Sequence, residues 1–252
     1  MAAWCRGAGL RPARSANGSG VKGRRLAIGA AAALAVLVAA WGGYTLYERS
    51  SPTEQALAQL RDTPLVGLAI ADHPEIEDRL RKAIREEQRD PTTSGPTRPL
   101  VVVGELRRDV IAPVLRNADD ASVIAAMEAR VALVRHLQKA DPPACREFFM
   151  GGIAHPEKLD AEAQRLLRNV LVATEAAYRS GRNGTPQPIP TTAEVHALLL
   201  QAGFTKADFD RLASYASLSN DVSCEMELKV DSAPPLLPPD KRGPYSRFVV
   251  AR

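Results

Sequence analysis

The chain has 252 residues, of which 45% are hydrophobic, 25% charged and 5% aromatic. This composition excludes a disordered or collagen-like chain and suits one principal globular domain. The formal charge of +4 does not point to nucleic acid. Arg6, Arg11, Arg14, Lys22, Arg24 and Arg25 stand in a start without acids, whereas all 29 acidic residues follow position 47, together with 27 basic ones. A nucleic-acid binder carries its basic footprint on the folded part, which here is slightly acidic.

Residues 1–25 read as a basic tail. Leu26 to Leu46 is an uncharged apolar run of 21 residues, about 31 Å long as a helix and enough to cross a bilayer core. Trp41, Tyr44 and Tyr47 cluster at its second end, where amphipathic rings favour the interface. The reading is a single transmembrane helix at 26–47, an uncleaved signal anchor, with the arginine-rich tail held in the cytoplasm. A cleaved signal peptide competes with it, Val38-Ala39-Ala40 supplying the cut before Trp41. The length of the run and the aromatics beyond that point favour the anchor. Arg24-Arg25 in GRRLAIG fits a twin-arginine signal poorly. An uninterrupted apolar span straight after the acid-free start favours export over a mitochondrial presequence. Ala27, Ala31, Ala35, Ala39 and Gly43 form a small-residue stripe of the kind that lets membrane helices approach. High alanine and 26 Arg against 7 Lys suggest a GC-rich bacterial genome. The expected site is therefore the bacterial inner membrane, with residues 48–252 in the periplasm.

After the anchor the dominant period is helical. Ser51-Pro52-Thr53-Glu54 is a capping box, and Ala56, Leu57 and Leu60 follow on one face. Thr63-Pro64 restarts the chain, and Pro74 opens a helix with Ile76, Leu80 and Ile84 on one stripe. These make a membrane-proximal helical hairpin over 48–89. Residues 90–99, DPTTSGPTRP, read as a linker. A helical core domain over 100–252 is expected beyond it. Val103, Leu106, Val110, Ile111 and Val114 keep helical spacing, with a kink or end near Pro113. Asp119 and Asp120 cap a helix through Leu137, Asp141-Pro-Pro ends it, and a short turn carries Cys145, Phe148 and Phe149. Pro156 to Ser180 reads as the longest amphipathic helix, opened by Pro156. Thr191 with Glu194 makes a capping box, Gly203 ends that helix, and Thr205 caps the next. A further helical stretch carries Cys224, the proline-rich 231–240 is extended, and Tyr245, Phe248, Val249 and Val250 dock on the core. No run alternates with period two, so the fold class is all-α, a multi-helix bundle.

Of the three cysteines, Cys5 lies in the tail. Cys145 and Cys224 share the exported part and read as one disulfide. No C-x-x-C pair supports redox catalysis.

Chemistry is sparse. His73-Pro74-Glu75 and His155-Pro156-Glu157 repeat one tripeptide, each after Ile-Ala. They could be metal or acid–base half-sites, but Pro at a first helical position and Glu in a first turn also explain both as helix starts. His136 shares a helix with Arg130 and Arg135 and reads as a surface residue, and His196 adjoins the apolar Val195. No histidines pair at i, i+4, and no H-E-x-x-H, G-x-S-x-G or P-loop pattern occurs. Glu86-Glu87 and Asp119-Asp120 read as carboxylates at helix ends. Met127, Met150 and Met226 read as core filler rather than soft metal ligands. No catalytic residue, metal site or cofactor is expected. The leading reading is a non-enzymatic interaction module of the envelope, partnered by the inner membrane and by another envelope protein or itself. The charged hairpin or an extended proline-rich C-terminal stretch would be its surface. The alternatives are an envelope hydrolase, with His73, His155 and Glu157 first in line, and a periplasmic ligand or metal sensor.

Overall fold

The computed structural model describes residues 51–93 and 97–251, and all regular structure among them is helical. Residues 52–252 form one compact unit. The apolar span 26–47 lies outside the described residues. Among the described residues no helix is long and apolar enough to cross a membrane.

The first part of the unit is built by α1 (Pro52–Arg61), α2 (Val66–Asp72) and α3 (Pro74–Arg89). Leu57, Ile70, Ile76 and Leu80 are buried in one apolar cluster that also takes Leu106, Tyr178 and Val250, so these helices share a core with distant parts of the chain. On the wet side, Arg61 reaches Glu77 and Arg81 reaches Glu54, each at 2.9 Å, lacing α1 to α3. Thr53 adds a hydrogen bond to Gln88 at 3.0 Å.

The segment read as a linker is tied back to α3. Glu87 accepts from the Thr92 backbone at 2.6 Å, the Thr92 hydroxyl at 2.8 Å and the Arg98 backbone at 3.0 Å. The amides of Arg98 and Thr92 hold the Glu87 carboxyl down at about 2, against an ordinary 4.5. A carboxyl whose folded value is depressed contributes stability above its unfolded value, and that contribution is lost as the pH falls toward the folded one. This clasp is therefore expected to be whole above about pH 4.5 and to open as the pH falls toward 2. The amide NMR shifts of Thr92 and Arg98 should report it, with a midpoint near 2 and no transition in Glu87→Gln. A midpoint at 4.5 would show that nothing holds the carboxylate.

Next come α4 (Arg98–Leu106), a π-helical turn (Arg107–Ile111) and the short α5 (Ala112–Leu115). The expected kink at Pro113 is absorbed here. Proline cannot donate to the carbonyl a turn below and its ring crowds that carbonyl. The chain winds wider instead, the Ala112 N–H reaching back to the Arg107 carbonyl.

The centre of the bundle is α6 (Asp120–Ala140). Asp119 caps it by accepting from the Ser122 N–H at 2.8 Å. It packs against α7 (Pro142–Met150), α8 (Ala161–Arg182), α11 (Asn220–Asp231) and α12 (Pro239–Val250). Three expectations change in this region. Cys145, Phe148 and Phe149 lie on α7, a helix rather than a turn, with Asp141 as its N-cap, accepting from Ala144 at 3.1 Å. The long helix does not start at Pro156, which opens only a 3₁₀ turn at Pro156–Lys158; Asp160 caps α8, accepting from Ala163 at 2.7 Å. The proline-rich 231–240 contains a 3₁₀ turn at Pro234–Leu236 rather than running extended throughout. At Gly181 a Cβ would sit 2.1 Å from the Val114 carbonyl oxygen, so only glycine lets α8 lie this close to α5.

The expected capping box of Thr191 with Glu194 is present on α9 (Thr192–Gln201), and the expected cap Thr205 forms a box as well, with Asp208 on α10 (Lys206–Ala213). The C-terminal residues dock as α12, where Tyr245, Val249 and Val250 are buried. Arg247 is fully buried on that helix. It donates to the carbonyls of Ala118 and Pro188, each at 2.9 Å, and to Asp120.

Candidate functional site

Cys145 on α7 and Cys224 on α11 are joined by a disulfide, with Cα atoms 5.7 Å apart. Both are fully buried in a second apolar cluster built on Leu133, Val134, Leu137, Phe148, Leu166 and Val170. The bond fastens α7 across the bundle and does not line a cavity.

The two His-Pro-Glu tripeptides behave alike. His73 meets Glu75 at 3.2 Å and His155 meets Glu157 at 3.1 Å, each within its own exposed helix start. His136 is not a plain surface residue: its Nε2 lies 2.9 Å from the carboxylate of Asp160, the cap of α8. His196 is stacked on Phe209 with ring centroids 4.0 Å apart. Met127 and Met226 are buried in the main core, whereas Met150 is exposed. Among the described residues no group of three or more His, Cys, Asp or Glu could hold a metal ion.

The structure assembles something the sequence reading did not single out. A cleft of about 190 Å³ opens between α4 with its π-helical turn, the end of α7 and the middle of α8. Leu100 and Val103 line one side, Leu167 and Leu171 the other, and Phe148 closes the α7 end. Gly151 and Gly152, at φ of 142° and 122°, turn the chain around that end in a region closed to other residues. Among the described residues, the one hydroxyl in the wall, Thr174, donates to the Val170 carbonyl at 2.7 Å, and the charged groups in the wall are Arg107 and Arg130.

Arg130 is the best-fixed group there. Its side chain is 7% exposed and pairs with Asp231, which is fully buried, Nε to Oδ2 at 3.2 Å. The guanidinium carbon lies 5.0 Å from the Phe148 ring centroid and 5.2 Å from that of Phe149. Two quadrupoles and one carboxylate thus set its plane. Asp231 is also among the residues that line a separate depression with Pro234 and Pro235.

The cleft also carries the one described non-glycine residue with positive φ. Leu65, at φ 65° and ψ −52°, lies in its wall. The Val66 N–H donates to the Pro64 carbonyl at 2.8 Å, closing a γ-turn of the rare, strained form. Such strain persists only where surrounding structure enforces it. Here Glu175 on α8 accepts the Leu65 N–H at 2.8 Å. Tyr178 and Arg182, also on α8, hold Asp72 at the far end of α2 at 3.2 Å and 2.8 Å. Burial, with Asp72 beside it, pushes the Tyr178 hydroxyl up to about 12, so it stays a donor.

One signal could have disclosed Arg130. The buried stripe of α6 runs Val123, Ala126, Met127, Arg130, Leu133, Val134, Leu137, which puts residue 130 in the middle of the seam. The cleft itself has no local pattern, because its walls come from residues 65 to 250.

No protein-family model, curated protein or solved structure matches this chain.

Proposed function

We propose that the chain is a single-pass protein of the bacterial inner membrane, with residues 1–25 in the cytoplasm and residues 26–47 across the bilayer. Its helical body lies in the periplasm and acts as a non-enzymatic binding module for another envelope protein or a second copy of itself, with the cleft as its recognition element. One observation carries the binding reading. Among the described residues, the wall of the cleft holds apolar side chains, the Thr174 hydroxyl, which is spent on a backbone carbonyl, and two arginines, and no carboxylate, histidine, cysteine or lysine. Arginine does not deprotonate in proteins. Such a wall can hold a ligand but supplies no general base or nucleophile. The exported location is supported by the acid-free start, the uncharged run after it and the Cys145–Cys224 bond, which is favoured in oxidising compartments. A hydrolase built on His73, His155 and Glu157 gains no support, since each histidine contacts the glutamate of its own tripeptide.

Cross-linking in intact cells, followed by purification of tagged full-length protein and mass spectrometry, tests the reading. A reproducible envelope partner or a homodimer is expected. Recovery of uncross-linked protein alone would overturn the interaction role. Fractionation that placed the body in the cytoplasm would overturn the topology.

A further inference from the structure

Away from the cleft, we infer that the depression between α6 and the 3₁₀ turn at Pro234–Leu236 is the face through which two copies of this chain pair, their α6 helices antiparallel. The depression has a volume of about 250 Å³ and an apolar wall of Ile124, Met127, Val131, Pro234 and Pro235. Leu236 ends the turn beside that wall and is 64% exposed. Its neighbours are fixed. Pro234 and Leu237 are buried, and Arg242 donates to the carbonyls of Leu237 and Pro235 at 3.0 and 3.3 Å. A large apolar side chain is thus held in solvent next to an apolar hollow, which is the content of an isologous contact, where one patch supplies both halves.

The charges name the occupant. Glu128 and Arg135 both line the depression and are exposed. They stand seven residues apart on α6, about 10.5 Å along the axis. Neither has a hydrogen-bond or ion-pair partner among the described residues. The other charged groups in the wall are engaged, Asp231 with Arg130 and Arg242 with the carbonyls of the turn. Glu128 lies three residues before Val131, and Arg135 three residues after Ala132, which is small and exposed. A second α6 crossing antiparallel at 131 and 132 therefore sets each Glu128 against the Arg135 of the other copy. A two-fold axis at that crossing makes both pairs at once. The same rotation keeps the two turns on one side of the helix pair, each bringing its Leu236 against the other copy. A parallel two-fold crossing would instead set Glu128 against Glu128 and Arg135 against Arg135. Exposed ion pairs add little affinity, but facing like charges exclude a contact, so the two residues fix register and partner.

The test uses the full-length protein in detergent micelles, with Cys5→Ser and Ala132→Cys, treated with a short bis-maleimide and run on a non-reducing gel. Position 132 lies beside the axis, so a covalent dimer is expected. Val172→Cys, exposed on α8, should give far less. Glu128→Arg and Arg135→Glu should each cut the dimer at least tenfold without lowering the melting temperature, and Leu236→Ala should cut it severalfold. Both charge substitutions in one chain restore opposite charges across the axis and should restore the dimer. Mixing the two single variants should restore it too. No dimer through Ala132→Cys, a dimer indifferent to both single charge substitutions, or no recovery in the double variant would each overturn the inference. Capture of a different protein at Ala132→Cys in intact cells, with no self-cross-link, would overturn the second copy as occupant. Failure of any of these leaves the cleft as a recognition element untouched, because no residue of its wall is changed.

Discussion

Asp231→Ala lowers the unfolding free energy by about 3–5 kcal/mol, as removal of one partner from a buried ion pair does. The Asp231 side chain is fully buried and that of Arg130 is 7% exposed. Truncating the aspartate leaves a cation in the seam of α6 with only ring faces for company, and Arg130 cannot escape by losing its proton. The double variant Arg130→Met with Asp231→Leu should recover most of the loss, because a well-packed apolar pair often replaces a buried ion pair at little cost. Urea denaturation of wild type, both single variants and the double closes the cycle. Near-additive losses would show that the two charges do not depend on each other. A recovered double variant that no longer captures its cross-linked partner in cells would show that the pair is kept for recognition rather than for folding.

This pair also shows where sequence reasoning stops. The helices were legible because their signals are local. Asp119, Thr191 and Thr205 each cap a helix within three residues of the N–H they accept. The stripe Ile76, Leu80, Ile84 is read from spacing alone, and all three residues are buried. The disulfide was legible from arithmetic on the cysteines beyond the apolar run at 26–46. The failures have physical causes. His155-Pro156-Glu157 looks like a helix start, but the chain makes a single 3₁₀ turn before Asp160, the better cap, begins α8. Pro113 suggested an ending, but tertiary packing kept the chain helical by widening one turn. Arg130 is not singled out by residue type, although its position in the α6 stripe is that of a core residue. Its partner lies 101 residues away, and no local pattern announces a pair at that separation. The cleft was illegible for the same reason. Its floor, its walls and the strained turn at Leu65 exist only once α2, α4 and α8 have met.

The second large effect concerns the bond between α7 and α11. Replacing Cys145 and Cys224 together by Ala is expected to cost up to about 4.5 kcal/mol in the chain-entropy account, for a closed loop of about 80 residues. The two cysteines are 79 positions apart and both fully buried. The loop they close contains all of α8 and the strapping residues Glu175, Tyr178 and Arg182, so the unfolded chain loses much freedom when it is tied. The native consequence is local. α7 spans only Pro142–Met150, and a helix that short does not stand without tertiary contacts. It carries Phe148 and Phe149, which hold the guanidinium of Arg130. Untying α7 should therefore loosen the clamp as well as lower the stability. Urea unfolding of the oxidised, reduced and double-alanine proteins measures the first effect, and hydrogen exchange over 142–153 measures the second. A loss below about 1 kcal/mol would show that the apolar cluster around Leu133 and Leu166 holds α7 unaided. Faster exchange confined to α7 and the cleft wall would identify the bond as the fastening of the recognition element in particular.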